Sequence, residues 1–311
     1  MEKNNDLKII FVGMPDMALV CLENLLNKGF NIVGVVPPNK NHETYKFFEG
    51  YVLSKGLNLI KFDKSCNEQN CIDKIKALEA DIGVVCSYNY KLSADFLKTT
   101  KMGYINSHPS MLPSYRGAAP YFHIVNNGEK KSAITLHFMD ETFDTGDIVY
   151  QEEFDLLPNE TMGTIFNRTN YMISDALIKV LTSIQNNEEI KRIPQDKTGS
   201  YIDAPRVDGN FRIRWNKSVD EIERLIRATN PFYNAFSFFR GVNIKIIKAR
   251  TIKKEHNLKY GQIAMVNNEN LLVAAKDGFL ALEIFQIGSW GVFSPSDFNY
   301  IFSPKIGEIL A

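Results

Sequence analysis

The first half of the chain alternates between short continuous apolar runs and longer segments of mixed polarity. The apolar runs at 7–13, 31–36 and 81–86 are typical of buried parallel strands. The segments between them space apolar residues as a helix does, as in Ile72 and Ile75. This alternation indicates βαβ units and predicts an α/β fold on a doubly wound, mostly parallel sheet. The expected helices are 15–27, 42–55 and 67–79, and further strands are expected at 57–60 and 103–106.

The pattern changes after residue 130. Residues 132–139 and 148–154 alternate apolar and polar positions, which predicts two antiparallel strands at the sheet edge or in a hairpin. Residues 161–184 form one long amphipathic pattern and are expected to be helical.

A polar stretch with Gly and Pro at 187–206 is interpreted as a linker, which predicts a catalytic domain at 1–186 and a second domain at 207–311. Ser218 and Glu221 have the spacing of a capping box and predict a helix to about Thr229. Short alternating strands follow, which predict a small β-rich, OB-like barrel. These strands are expected at 235–239, 242–249, 261–266, 271–275 and 279–284.

Composition narrows the function classes. With 311 residues, 44% apolar and 23% charged, the chain has the profile of a globular protein with two domains. Lys plus Arg and Asp plus Glu each number 36, so the net charge is zero, which argues against a protein that mainly grips a polyanion. Local basic patches remain open.

The cysteines and the N-terminus indicate the compartment. The four cysteines have no metal-type spacing, so we expect no metal and a reduced, cytoplasmic setting. Residues 1–6 are polar, and the apolar run after them is broken by Gly13 and Pro15, so neither a signal peptide nor a membrane span is expected.

The candidate chemistry lies at 106–120, where a predicted strand runs into a polar loop holding Asn106, His108 and Arg116. A second polar turn, 144–147, follows the first alternating strand and begins with Asp144. In a doubly wound sheet, ligands bind outside the carboxyl ends of the strands. Met14 and the segment 87–89 follow other strands at that edge, so all these residues point to one crevice.

This set of side chains suits acyl transfer to an amine. His108 can act as a base near neutral pH, Asn106 can donate an N–H to an oxyanion, and Asp144 can orient the imidazole. No serine or cysteine nucleophile motif is present, which favours direct transfer.

Each of these residues also has a plainer interpretation. Asn106 suits a strand end, His108 a solvated loop, Asp144 a β-turn, and Arg116 a surface charge. The glycine fingerprint of a dinucleotide site is missing after the first strand, so a nicotinamide-dependent oxidoreductase is excluded despite the βαβ pattern.

Residues 106–120 (NSHPSMLPSYRGAAP) and 139–149 (MDETFDTGDIV) resemble the folate-dependent formyltransferases, which take a formyl group from N10-formyltetrahydrofolate. The resemblance maps that family's catalytic trio onto Asn106, His108 and Asp144. It extends to 9–18, 212–236 and 303–310, which resemble the same family's first strand and its C-terminal domain.

The resemblance also implies binding residues. The folate site is expected at Val85, Cys86, Ser87 and Tyr88 and at Asp140, Thr142 and Phe143. The acceptor site is expected at Ser110, Tyr115, Arg116, Gly117 and Met14.

The acceptor stays open between two members of this family. The tRNA enzymes carry a long basic loop after the second strand, whereas 37–55 holds only Lys40, Lys46 and Lys55 against Glu43 and Glu49. The sequence at 87–90 (SYNY) also resembles the amino-sugar enzymes more than the tRNA enzymes. A nucleotide-linked amino sugar is therefore the favoured partner, and initiator methionyl-tRNA, which the C-terminal GEIL sequence favours, is the alternative.

A folate-binding protein without activity is the alternative of another class, and the intact trio argues against it. Self-association into a homodimer is left open.

Overall fold

The computed structural model describes residues 7–88, 90–289 and 291–311, and the side chains of Asp16, Val207 and Asp208 are outside the description. The N-terminal residues 1–6 and Asn89, which the sequence analysis used, therefore lie outside the described residues. The described chain divides into two compact units. Among the described residues, unit 1 comprises 7–120, 131–155 and 167–203, and unit 2 comprises 121–130, 156–166 and 204–311.

Unit 1 is built on a sheet of six strands flanked by helices. The strands are β1 (Lys8–Gly13), β2 (Asn31–Val36), β3 (Ile82–Cys86), β4 (Tyr104–His108), β6 (Lys131–Phe138) and β7 (Ile148–Asp155). The short β5 (Arg116–Gly117) pairs in parallel with β8 (Tyr201–Ile202) as a separate two-stranded sheet. The helices of unit 1 are α1 (Pro15–Asn27), α2 (Glu43–Ser54), α3 (Gln69–Lys76), α4 (Ala94–Leu97) and most of α6 (Met162–Gln185). Almost all of α5 (Pro120–Asn127) and the start of α6 belong to unit 2.

The strand order in the large sheet is β2-β1-β3-β4-β6-β7. The first four strands are parallel, while β6 and β7 are antiparallel to their neighbours, as the alternating pattern predicted. The predicted strand at 57–60 is wrong, because only Leu59 bridges to Val35 there. The remaining predicted strands and helices of this region are present within a few residues of their expected bounds.

The core of unit 1 explains one unusual glycine. Tyr104 of β4 is fully buried, and its ring lies over Gly83 of β3, where an added Cβ would lie 2.0 Å from the ring. Its hydroxyl is 2.7 Å from the Thr99 hydroxyl, so the buried polar group is satisfied. This packing joins β3 and β4, the strands whose carboxyl ends carry the candidate site.

Unit 2 holds a six-stranded antiparallel sheet, in which five strands follow the order β11-β12-β13-β10-β9 and β14 pairs with β13. Its strands are β9 (Ala235–Phe239), β10 (Val242–Lys253), β11 (Ile263–Val266), β12 (Leu271–Ala275), β13 (Gly278–Ile287) and β14 (Gly291–Phe293). Its helices include α7 (Val207–Asn210), α8 (Val219–Thr229) and α9 (Pro295–Phe302). The capping box that begins α8 is present, with Ser218 and Glu221 each bonded to the other's backbone.

The C-terminal segment connects the two edges of this sheet. Ile309 bridges to Gln262, immediately before β11, and Leu310 bridges to Phe239 of β9. The Ala311 carbonyl also accepts a hydrogen bond from the Phe238 amide at 2.9 Å. The predicted β-rich second domain is therefore confirmed, and the GEIL sequence has a structural role as the segment that pairs with both edge strands.

The predicted linker at 187–206 is more than a connection. Most of it groups with unit 1 and supplies β8, which pairs with β5 beside the candidate site. Ile193 exchanges two backbone hydrogen bonds with Ile148 at the start of β7, each 2.9 Å. The polar, Gly-containing sequence at 187–206 predicted only an irregular linker. Its pairing with β5 and Ile148 could not be predicted, because backbone hydrogen bonds leave no pattern of apolar residues in the sequence.

Candidate active site

Two neighbouring strands place the first catalytic candidates. Asn106 and His108 are two residues apart on β4, so their side chains share one face of the sheet. His137 of β6 lies directly opposite Asn106 in the antiparallel ladder. The sheet register therefore adds a second histidine to the predicted pair.

The turn between β6 and β7 brings in Asp144. Its backbone has φ +58°, in the left-handed region that a residue with a Cβ adopts at a cost. Gly146 is required nearby, because an added Cβ would lie 1.9 Å from the Phe138 carbonyl oxygen. The Phe138 amide donates to the Asp147 carbonyl at 2.9 Å and closes the loop. The D-T-G-D sequence thus forms a tight turn that directs Asp144 back toward β4.

The Asp144 carboxylate lies at the centre of the site. Its Oδ1 accepts a hydrogen bond from Asn106 Nδ2 at 3.2 Å and is 3.5 Å from His137 Nε2. Its Oδ2 accepts a hydrogen bond from the Gly117 amide at 2.9 Å and is 3.5 Å from His108 Nδ1. The structure therefore brings together the three predicted catalytic residues Asn106, His108 and Asp144.

Electrostatics keep this carboxylate ionised. Burial acts to raise the pKa of Asp144. At the low pH where this carboxyl titrates, the protonated rings of His108 and His137, together with the Gly117 amide, outweigh burial and lower the pKa from 3.8 to about 2. The side chain is only 10% exposed, so solvent screens these interactions little. A permanent negative charge therefore faces both imidazoles at neutral pH.

The hydrogen bonds of His108 identify its reactive nitrogen. Its Nε2 lies 2.8 Å from the Tyr115 carbonyl, which can only accept, so Nε2 carries the hydrogen. In the neutral ring the unprotonated nitrogen is then Nδ1, which faces Asp144. Burial lowers the pKa of His108, while Asp144 and the Tyr115 carbonyl oppose that effect and His137 adds to it. The ring is therefore neutral, and able to accept a proton, at neutral pH.

The second histidine, His137, was not predicted as a site residue. Its Nδ1 lies 2.9 Å from the Phe138 carbonyl, so Nδ1 carries the hydrogen and Nε2 accepts the Asn106 amide at 3.1 Å. Both hydrogens of the Asn106 amide are thus used, on His137 and on Asp144. In the alternating sequence at 132–139, His137 looks like a residue that only packs against the sheet. The signal that places it in the site is its register opposite Asn106.

Two residues predicted to contact the acceptor are buried. The Ser110 hydroxyl donates to the Ser114 carbonyl at 2.8 Å. Arg116 is 6% exposed, and its guanidinium contacts Gln195, Asp196 and the Asp144 carbonyl. Tyr115 and Gly117 are half-buried, and so is Met14, which precedes α1 at the same edge of the sheet. Their role toward an acceptor stays a prediction, and the Arg116 side chain is held within the protein.

The predicted folate residues lie in two segments. Val85 and Cys86 are buried in β3, and Ser87 follows with φ +54°. Beyond them the rings of Tyr88 and Tyr90 lie 5.4 Å apart. The left-handed backbone at Ser87 comes directly after the end of β3.

The second segment is the loop after β6. The Asp140 carboxylate accepts hydrogen bonds from the Thr142 amide at 2.8 Å and from the Thr145 hydroxyl at 2.8 Å, and the two threonine hydroxyls contact each other. Phe143, which follows Thr142 in this loop, is 43% exposed. The loop therefore presents an aromatic ring to solvent from a backbone that is fixed by its own hydrogen bonds.

Two further features are absent from the described residues. No group of three or more His, Cys, Asp or Glu side chains in 7–88, 90–289 and 291–311 is placed to hold a metal ion. Among the helices in that part of the chain, none is both long and apolar enough to cross a membrane.

Comparison with known proteins identifies the family. The family model described as "Formyl transferase" matches residues 13–181, and the model described as "Formyl transferase, C-terminal domain" matches residues 208–300. The chain therefore belongs to the formyl transferase family.

Individual relatives fall into two groups. The methionyl-tRNA formyltransferase of Alkaliphilus oremlandii is 36% identical over 90% of this chain and 92% of its own length. Among solved structures, the sugar 3N-formyltransferase WlaRD has a TM-score of 0.69 at 22% identity, covering 91% of this chain and 98% of that one. An N-formyltransferase from Helicobacter canadensis has a TM-score of 0.67 at 21% identity, covering 91% of this chain and 100% of that one. These structures are similar in fold.

Proposed function

We propose that this formyltransferase works by direct attack of a primary amine on the formyl carbon, with Asn106, His108 and Asp144 as the catalytic residues. The observation that carries the proposal is the buried, ionised Asp144, whose two oxygens face His108 and His137. In the reaction the amine nitrogen bonds to the formyl carbon, and the bond from that carbon to N10 of the folate breaks. The amine loses one proton, and N10 gains one.

His108 takes the amine proton in this scheme. The neutral ring has its free electron pair on Nδ1, and the proton received there lies beside the Asp144 carboxylate. The resulting imidazolium is stabilised on both sides, by Asp144 and by the Tyr115 carbonyl. General base catalysis of this kind contributes about 10²- to 10⁴-fold to a rate.

Asn106 supplies an N–H to the negative oxygen that forms during attack. Before the reaction, its amide group donates hydrogen bonds to His137 Nε2 and to Asp144 Oδ1. The hydrogen bond to the charged carboxylate is the stronger of the two. The N–H that donates to His137 is therefore the one that donates to the oxyanion during the reaction.

The folate-binding residues are proposed to be Val85, Cys86, Ser87 and Tyr88 in one segment and Asp140, Thr142 and Phe143 in the other. Their chemistry fits a flat heterocycle. The Tyr88 and Phe143 rings offer apolar faces, and two segments with unusual backbone offer polar main-chain groups. The bound donor supplies an activated formyl group, and these residues hold it near His108.

For the acceptor, we propose a nucleotide-linked amino sugar. The observation behind this choice is the small charge of the segment after β2, at 37–55, which holds three lysines and two glutamates. Lys46 pairs with Glu43 at 3.1 Å, Lys55 pairs with Glu23 at 3.3 Å, and Lys40 lies over the Tyr45 and Tyr90 rings. Binding to RNA releases counterions through many phosphate contacts, which unpaired cations would provide.

The cations of unit 2 give the same indication. Arg240 pairs with Glu308 at 2.8 Å, and Lys248 and Arg250 both lie within 3.5 Å of Glu283. A patch that grips a phosphate backbone needs cations whose charge is not already balanced. Glu308 balances the charge of Arg240, while Lys248 and Arg250 share the single carboxylate of Glu283 and keep one positive charge between them.

Initiator methionyl-tRNA is the second candidate acceptor. The observation that supports it is the 36% identity of this chain to the methionyl-tRNA formyltransferase of Alkaliphilus oremlandii, over 90% of this chain and 92% of that protein.

One parallel assay separates the two acceptors. The purified protein is given N10-formyltetrahydrofolate with either initiator methionyl-tRNA or dTDP-3-aminofucose, the compound named with the Helicobacter canadensis structure. A second arm replaces this sugar nucleotide by UDP-linked and other dTDP-linked amino sugars. We expect formylation of a sugar nucleotide, and binding that changes little between about 50 and about 300 mM salt.

His108→Ala is the matched control, because it removes the base and leaves the binding segments unchanged. Efficient formylation of methionyl-tRNA, with capture that weakens steeply as salt rises, overturns the sugar proposal. Equal turnover by His108→Ala with the preferred acceptor instead overturns the proposed catalytic residues, so the two failures are distinguishable.

A further inference from the structure

The segment 193–202 lies along the loops that carry the catalytic residues. At one end Ile193 pairs with Ile148, just after the D-T-G-D turn. At the other end the Ser200 hydroxyl accepts from the Tyr115 amide at 2.8 Å, and the Ser200 carbonyl accepts from the Arg116 amide at 2.9 Å. The segment is therefore fixed to both loops of the site, and its middle faces the turn that holds Asp144.

Gln195 in that middle portion makes four hydrogen bonds through its side chain. Its Nε2 donates to the carbonyl oxygens of Asp144 at 3.0 Å and Gly146 at 2.7 Å. Its Oε1 accepts from Arg116 Nε at 3.1 Å and Nη2 at 2.8 Å. Arg116 Nε also donates to the Asp144 carbonyl at 3.1 Å. Both amide hydrogens and the amide oxygen are used, so the side chain has one orientation.

These bonds act on the backbone that aims the catalytic carboxylate. Asp144 has φ +58°, and a strained conformation of this kind persists only where the surroundings specify it. Two donors hold the Asp144 carbonyl, and one of them also holds the Gly146 carbonyl two residues on. The orientation of that peptide group determines where the Asp144 side chain points, and thus its 3.5 Å separation from His108 Nδ1.

We propose that Gln195 is a positioning residue for formyl transfer, acting through Arg116 and the Asp144–Gly146 turn to hold the carboxylate against His108. The proposal rests on the roles given above to Asp144 and His108. Displacement of a catalytic group by about 1 Å can cost about 10²-fold in rate. Residues that orient metal ligands by hydrogen bonds, a comparable role, typically contribute about 10- to 100-fold.

The test compares two substitutions of Gln195 with a control in the same segment. Gln195→Met keeps the volume and removes all four hydrogen bonds. Gln195→Glu keeps the acceptor for Arg116 and removes the donor to the two carbonyls. Thr198→Val is the control, because the Thr198 hydroxyl donates to the exposed Asp196 carboxylate at 2.8 Å rather than to the turn that holds Asp144. Turnover and KM are measured with the acceptor that the parallel assay selects.

A second readout needs no acceptor. The imidazole signal of His108 is titrated by NMR in the free protein, where Asp144, His137 and the Tyr115 carbonyl are the groups that act on its pKa. Because Asp144 raises the pKa of His108, loss of the fixed carboxylate moves the titration to lower pH. A change that only weakened the fold would not move it.

We expect Gln195→Met and Gln195→Glu to lower kcat by about 10- to 100-fold with KM for the formyl donor within about threefold, while Thr198→Val keeps the wild-type rate. We also expect the His108 titration to shift to lower pH in Gln195→Met. A wild-type kcat in both Gln195 variants, or a His108 titration unchanged in Gln195→Met, overturns the proposal. If Gln195→Met does not fold, Gln195→Glu decides by its kcat alone.

Discussion

The exchange of Asp144 for Asn tests the centre of the site with little change in size. It removes the negative charge and replaces one carboxylate oxygen by an NH2 group. In the wild type one oxygen accepts from Asn106 and the other from the Gly117 amide. The new NH2 must therefore face one of these donors, and the site loses both its charge and one accepted hydrogen bond.

The magnitude follows from the pKa of Asp144. A fall from 3.8 to about 2 corresponds, at about 1.4 kcal/mol per pH unit, to about 2 kcal/mol of stabilisation at neutral pH. Because the pKa in the folded state is depressed, this contribution is fully present above about pH 4. It is lost as the pH falls through about 2, where the folded carboxyl takes up its proton. The unsatisfied donor adds about 1 to 3 kcal/mol that does not depend on pH.

Native-state hydrogen exchange of the β4 amides measures this difference in unit 1 without requiring the whole chain to unfold in one step. We expect Asp144→Asn to lower the local free energy of opening by about 3 to 5 kcal/mol at pH 7. The difference from wild type is expected to shrink by about 2 kcal/mol as the pH falls from about 5 toward about 2. Turnover at pH 7 is expected to fall by about 10²- to 10⁴-fold, since the imidazole loses the partner that orients it.

A difference in opening energy that is constant over this pH range would refute the reasoning, because the carboxylate charge would then contribute nothing to the site. Turnover close to wild type would refute the catalytic role separately.

Three further predictions follow from the same geometry. His108→Ala is expected to lose about 10²- to 10⁴-fold in turnover while still binding a stable formyl-folate, and a near wild-type rate would contradict its role as base. Turnover is expected to rise with pH as His108 loses its proton, and because burial lowers the pKa of His108 this rise is expected below about pH 6.5. In Asp144→Asn the rise is expected at still lower pH. A flat wild-type profile from about pH 4 to about pH 8 would count against His108 as the base. Gly146→Ala is expected to destabilise unit 1 by about 2 to 4 kcal/mol, because the new Cβ meets the Phe138 carbonyl at 1.9 Å. Gly50→Ala in α2 is its control, since nothing lies within 4 Å of a Cβ there, and equal melting temperatures for the two variants would show that the turn tolerates the methyl group.

The sequence predicts the framework of the site well, for a physical reason. Buried parallel strands are continuous apolar runs, edge strands alternate, and the polar residues directly after a strand reach the ligand-binding edge. Asn106, His108 and Asp144 could be found in this way before their contacts were known. The strand at 57–60 was wrong because a short apolar run looks the same whether it pairs along its length or, as at Leu59, through a single bridge.

The residues that were missed make contacts that sequence patterns do not encode. His137 follows from the register between β4 and β6, which cannot be read until both strands and their pairing are known. Gln195 donates hydrogen bonds to backbone carbonyls. Every residue has such a carbonyl, so the identity of the partner residues does not reveal the contact in the sequence. Arg116 looked like a cation for an acceptor, yet the same loop folds it inward onto Gln195.

The bond from Gln195 to Asp144 also has a consequence for the order in which the protein matures during synthesis. Gln195 comes 51 residues after Asp144 in the chain. When β7 leaves the ribosome, every strand of the large sheet is already available, but the turn that aims the carboxylate still lacks its partner. Synthesis at about 5 to 20 residues per second leaves this interval open for several seconds. The nascent enzyme therefore acquires its sheet first, and its catalytic geometry only when the segment beyond α6 has emerged and returned to the turn.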